Sequence, residues 1–228
     1  MLPYFLNILE GALLTVAVSL CALAVAVALG FLGAGAKLSG NRLLWAVATA
    51  YTTVVRGIPE LVLMLLVFYG GTIGLNHLLE VMGSEAVVDI NPFMAGVITI
   101  GFIYGAYMTE VFRGAIISVP KGQSEAARAY GMGVMQTFVR ITLPQMVRYA
   151  LPGFTNSWLV LIKATALVSL IGLQDMTFLA KQASSATREP FIFFLFTAAL
   201  FLAYTSASLF VLNRLNARYS LGVRKRGQ

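Results

Sequence analysis

The chain has 228 residues, of which 59% are hydrophobic and only 11% charged, with 16 Lys and Arg against 9 Asp and Glu for a net charge of +7. A soluble domain carries about a quarter charged residues, so this composition excludes a water-covered globule and leaves room for one membrane domain of several helices. The cations lie in short segments between apolar runs, which excludes a nucleic-acid-binding face, and the single Cys21 and single His77 leave no set of residues for a disulfide or a metal site.

The opening segment, MLPYFLNILEGALL, lacks the basic n-region of a secretory signal. The apolar run behind it is therefore expected to remain as a first span. About 20 apolar residues cross a bilayer as a helix, and five stretches qualify: 11–36, 58–79, 93–112, 153–173 and 191–212. Small residues are dense in the first, which suits close approach of helix backbones. The run 43–55 is apolar too, but Arg42 and Arg56 bracket a length too short to cross. It is expected to lie at the interface or to extend the second helix. Arg56-Gly57-Ile58-Pro59-Glu60 reads as a helix start, with proline and an acid in the first turn. A Glu60 facing the pathway is the alternative. The loop 80–92 holds Glu80, Glu85 and Asp89 with no base. That is either the counterpart of a basic opposite side or a negative mouth for a cationic solute or a basic partner.

Five spans put the termini on opposite sides. One side collects Lys37, Arg42, Arg56, Arg113, Lys121, Arg128, Arg140, Arg148 and the Lys and Arg residues of the tail 214–228, while the other holds only Lys181 and Arg188. The positive-inside rule then predicts a periplasmic N-terminus, a cytoplasmic C-terminus and a cytoplasmic segment 113–150.

Within that segment, 125–144 reads EAARAYGMGVMQTFVRITLP. It is too polar to span and too apolar for a solvated loop. Read as a helix over 125–139, it is interrupted by Gly131 and Gly133, which mark a bend or a close contact, and it places Glu125 near a helix N-terminus. The result is a compact knob with an exposed apolar patch, suited to a socket on another protein. The order Glu125-Ala126-Ala127, Gly131, Ile141 and Leu143-Pro144 resembles the EAA loop of ABC importer permeases, matching at each position. YTTVVRGIPELVLMLLVFYG, GFIYGAYMTEVFRGAIISVPKGQSEAA and RYALPGFTNSWLVLIKATALVSLIGLQDM extend the likeness over essentially the whole chain. They resemble the polar amino acid branch, and within it the Q-type permeases of histidine and lysine/arginine/ornithine importers and of opine importers.

The resemblance implies a single transmembrane permease domain over 1–228 with a type I importer fold, all α-helical, in the bacterial inner membrane. It implies that 125–144, within the cytoplasmic coupling loop 113–150, is the coupling helix that docks into a groove on an ATP-hydrolysing subunit. It further implies a second permease, often non-identical, two ATP-binding cassette subunits carrying ATP and Mg, and a periplasmic binding protein. The substrates implied are histidine, arginine, lysine and ornithine, with opines, glutamine or glutamate as alternatives. No G-x-x-x-x-G-K-[ST] occurs in the chain, so it is expected to hold no cofactor and to be no enzyme. An ion-coupled carrier is the competing class; it would want an internal repeat and broken helices.

Charges inside spans mark pathway candidates. Lys163, ten residues into the fourth stretch, is expected to pair with a carboxylate of a neighbouring helix or to meet a substrate carboxylate. Glu110 is expected either to pair with Arg113 three residues on or to be that partner of Lys163. Asp175, after the fourth span, reads as solvent-exposed or as a recognition carboxylate.

Overall fold

The computed structural model describes residues 1–84, 86 and 88–219. Glu85, and Arg224, Lys225 and Arg226 of the tail, lie outside the described residues. Every regular element among the described residues is helical. In chain order these are α1 (Leu2–Leu38), α2 (Arg42–Gly57), α3 (Glu60–Leu65), a π turn (Leu66–Gly70), α4 (Gly71–Val81), α5 (Pro92–Ile117) and α6 (Lys121–Ala129). They continue as α7 (Val134–Thr137), a second π turn (Phe138–Thr142), α8 (Leu143–Ala164), a 3-10 stretch (Thr165–Ile171), α9 (Met176–Thr187) and α10 (Pro190–Tyr219).

Five helical stretches are long and apolar enough to cross a membrane, namely Leu2–Leu38, Glu60–Val81, Pro92–Ile117, Val134–Ile171 and Pro190–Tyr219. The number agrees with the sequence, but two of the starts move. The first begins at Leu2, because Tyr4, Phe5 and a fully buried Ile8 pack on Phe193, Met176 and Ala180 of the far end of the chain. The fourth begins at Val134, so the later part of the polar segment and the span are one rod. The run 43–55 belongs to α2, a helix of its own that does not extend the second span. Asn41 caps it, accepting from the Leu43 and Leu44 N–H groups at 2.8 and 3.3 Å. It stops because Pro59 forces Ile58 into extended backbone, φ −106 and ψ 138.

Packing radiates from α5, which contacts α1, α2, α3 and α8. The small residues of the first span do what their spacing suggests: Gly11, Thr15, Ser19, Ala22, Ala26, Gly30 and Ala34 are all buried on one stripe. A Cβ on Gly101 of α5 would lie 2.6 Å from the Val25 Cβ, and one on Gly33 of α1 would collide with the Thr109 side chain. Without a hydrophobic force between helices in lipid, this backbone proximity supplies the dispersion contacts that hold the pair together.

Candidate functional site

The segment 121–144 folds as two helical pieces around a sharp turn. Its first piece, α6, starts at Lys121 after Pro120. Glu125 is therefore mid-helix and exposed, not in a first turn as the sequence suggested, and no acid occupies that first turn. Gly131 ends the helix at φ +83, a backbone region that costs an L side chain about 1–2 kcal/mol. The Gly131 N–H donates to Arg128 O at 2.9 Å and the Met132 N–H to Ala127 O at 3.1 Å. These two bonds satisfy carbonyls that the helix end would otherwise orphan. Of the two roles expected for Gly131, the bend is real and the close contact is not, since no atom lies within 4 Å of a Cβ placed there.

Ala127 is buried and Ala126 exposed, so the alanine pair has one residue on each face of α6. Tyr130, Val134 and Met135 stand out at 89%, 72% and 73% exposure. This is the apolar crown of the knob. Ile141 and Leu143 are half-buried, and Leu143 packs on the main core. Pro144 is exposed and lacks the N–H that a continuous helix would bond one turn back. The helix absorbs the defect by widening into the π turn just before it, where the Leu143 N–H reaches Phe138 O.

The charged candidates are distributed differently from expectation. Glu110 does not meet Lys163. Its Oε1 accepts from Lys37 Nζ at 2.5 Å and its Oε2 from Arg113 Nε and Nη2 at 3.0 and 2.9 Å. Lys37 also donates to Thr52 Oγ1 at 2.7 Å, so one cluster joins α1, α2 and α5 at their shared end. The intrahelical Glu110–Arg113 pair is present as expected; Lys37 was not foreseen. Glu60 sits in the first turn of α3 as expected, and the Tyr104 hydroxyl of α5 donates to its Oε1 at 2.9 Å. One turn further along α5, Tyr107 lies beneath the Arg56 guanidinium at 5.1 Å.

Lys163 makes no ion pair among the described residues and is exposed. It shares an outward stripe of α8 with Tyr149, Pro152, Asn156 and Val160, all exposed at helical spacing. An amide and an ammonium thus face away from the chain inside a span. Asp175 is the opposite case. It is fully buried rather than solvent-exposed, because α9 folds back onto α1. Its Oδ1 caps α9 by accepting from the Phe178 N–H at 2.9 Å. Burial pushes its carboxyl up to about 6, against the lowering effect of that hydrogen bond.

A family model described as the binding-protein-dependent transport system inner membrane component matches residues 11–220. The histidine/lysine/arginine/ornithine transport system permease protein HisQ of Escherichia coli (strain K12) is 50% identical over 218 residues, covering 96% of this chain and 95% of that one. The octopine transport system permease protein OccQ of Rhizobium radiobacter is 42% identical over 202 residues, covering 89% and 85%. Among solved structures, an amino acid ABC transporter with histidines superposes at a TM-score of 0.80 with 30% identity over 96% of both chains. The MetNI methionine ABC transporter superposes at 0.66 over 93% of this chain and 94% of that one, and at 16% identity it shares the fold alone.

Proposed function

The chain belongs to the binding-protein-dependent transport system inner membrane components, multi-pass permeases of ABC importers, and from that membership we propose that it imports basic amino acids: histidine, arginine, lysine and ornithine. Its N-terminus is periplasmic and its C-terminus cytoplasmic. Substrate arrives from a periplasmic binding protein. Two ATP-binding cassette subunits supply ATP and Mg, and a second, non-identical permease completes the pathway. The chain itself carries no catalytic residue.

The observation that carries this reading is the knob. Glu125, Ala126, Ala127, Gly131, Ile141, Leu143 and Pro144 build a crown of exposed Tyr130, Val134 and Met135 that nothing among the described residues covers. An ATPase groove would cover it, and closure of the motors would then pull on the segment. The outward stripe of α8 supports the pathway role of Lys163, whose ammonium is free to meet a substrate α-carboxylate. Glu60, held by Tyr104, is the carboxylate for a cationic side chain. Glu110, saturated by Lys37 and Arg113, and Asp175, buried as a cap, act as structural anchors instead.

The test is reconstitution of the complex in liposomes with ATP hydrolysis as the readout. Binding protein loaded with arginine or histidine stimulates hydrolysis, and glutamine-loaded protein does not. Glu125→Lys removes the stimulation. Stimulation by glutamine or an octopine-type opine alone would overturn the substrate class, and an unaffected Glu125→Lys complex would overturn the coupling role.

A further inference from the structure

Behind the knob lies a cavity of about 320 Å³, between the end of α5 and the pieces α6 and α7. Its chemistry is divided. Ile117, Val119 and Phe138 line it with apolar surface, while Lys121, Ser124 and Arg128 of α6 face it from the other wall. Lys121 and Arg128 are seven residues apart, two helical turns, so both project from one face. A helix packed beside a cavity normally turns its apolar face inward. On α6 the buried residue is Ala127, and Lys121 and Arg128, both exposed, stand at the rim of the cavity. Neither Lys121 nor Arg128 makes an ion pair among the described residues, and no carboxylate lines the cavity. Two positive charges therefore stand beside an apolar floor, with Glu125 one turn from each but in ion-pair contact with neither.

We propose that this cavity binds the phosphate headgroup of an anionic phospholipid, with Lys121 and Arg128 as its ligands and Ile117 and Phe138 against the start of an acyl chain. The position argues for a lipid over a soluble anion. Ile117 ends the third span and is 58% exposed, so the cavity opens where the apolar span gives way to the polar segment. Phosphates of a bilayer leaflet lie at that level, and basic pockets at helix ends are the sites that retain anionic headgroups. The divided lining suits the divided molecule: cations for the phosphate, apolar side chains for the glycerol and first methylenes. The leaflet concerned is the inner one, a point that rests on the orientation proposed above. Lipid bound there braces α6 against α5 and sets the angle at which the crown is presented.

The experiment uses the intact complex, delipidated in mild detergent and titrated with phosphatidylglycerol or phosphatidylcholine while bound lipid is counted by native mass spectrometry. Phosphatidylglycerol is expected to be retained in preference to phosphatidylcholine. Lys121→Gln with Arg128→Gln is expected to lower its affinity about thirtyfold, from two cations near a membrane surface. Lys121→Arg with Arg128→Lys, which keeps both charges, is expected to retain it and controls for misfolding. Equal retention by the Gln variant would overturn the site. Displacement of phosphatidylglycerol by millimolar inorganic phosphate would overturn the lipid as occupant. Loss of the ATPase subunit from the Gln variant with lipid retained would do the same, in favour of a partner carboxylate. Because lipid retention is read apart from ATP hydrolysis, failure here is distinguishable from failure of the coupling role.

Discussion

The second and third spans have similar composition and opposite fates. Of the most apolar stretch of the third, 72% is buried within the chain; of the second, 11%. In the third, Gly96, Gly101 and Gly105 admit Val168, Val25 and Leu29 to backbone distance. In the second, Leu66, Ile73 and Leu78 are more than half exposed and α4 buries no residue at all. A π turn at Leu66–Gly70 interrupts the second helix, a defect found mostly at functional positions. The difference teaches that hydrophobicity places a segment in the membrane, whereas the distribution of small residues decides whether it joins the chain's own core. The α1–α5 pair is a scaffold. The α3–α4 span is surface, available to a second subunit or to the pathway.

The largest effect expected from this contrast comes from overfilling each region in turn. Gly33→Leu drives a side chain into Thr109 and is expected to cost about 3 kcal/mol or more, read as loss of monodisperse protein after extraction. A Cβ at Gly74 of α4 meets no atom within 4 Å, and Gly74→Leu is expected to leave the chain's own unfolding unchanged. If it lowers recovery of the assembled complex alone, α4 is a subunit interface. Equal damage from both substitutions would erase the distinction between scaffold and surface.

Charges sharpen it next. Lys37→Met strips one partner from Glu110 while Arg113 remains, and is expected to cost about 2 kcal/mol in a thermal-unfolding series. Lys163→Met has no ion pair to lose among the described residues and is expected to leave unfolding unchanged but to reduce transport. Gly131→Ala follows at about 1–2 kcal/mol of left-handed strain. Its cost is local, so it is expected to appear as weakened ATPase stimulation without a change in the melting of the membrane core.

The smallest effect concerns Asp175. Its carboxyl is raised from 3.8 to about 6 by burial, so its favourable contribution is full below about pH 4 and is lost as pH rises through 6. Asp175→Asn keeps a capping oxygen and removes the charge. It is expected to raise stability near pH 7.5, on the order of 1 kcal/mol, and to flatten the pH dependence between about 4 and 6. Destabilisation at both pH extremes would show that the carboxylate itself is needed.

What could be read in the sequence was local. The knob was legible because Glu125 to Pro144 is a short stretch whose glycines and proline act within a turn of themselves. The Glu110–Arg113 pair and the first turn of α3 were legible for the same reason. Lys37 and Glu110 are 73 residues apart, and nothing in either neighbourhood announces the other. Asp175 looked exposed because its burial depends on α9 folding back onto α1, a contact between the two ends of the chain. The position of Glu125 was misjudged because Lys121 and Gly122, a cation and a weak helix former, gave no sign that the helix starts there, directly after Pro120. The separateness of α2 was one of two readings the sequence left open, since Pro59 suits a kink within one helix as well as the helix start that α3 makes there.

One feature of the fourth span has a mechanical meaning. From Val134 to Ile171 the chain is helical for 38 residues, a rod of roughly 55 Å at 1.5 Å per residue. Its lower end emerges from the knob, its shaft carries Lys163, and its upper end stops at Gly172, where φ is +88. Such a rod is a lever. A tilt of only about 5° about one end swings the other by roughly 5 Å. A small rotation at the knob end is thus a displacement of several ångströms beside Gly172.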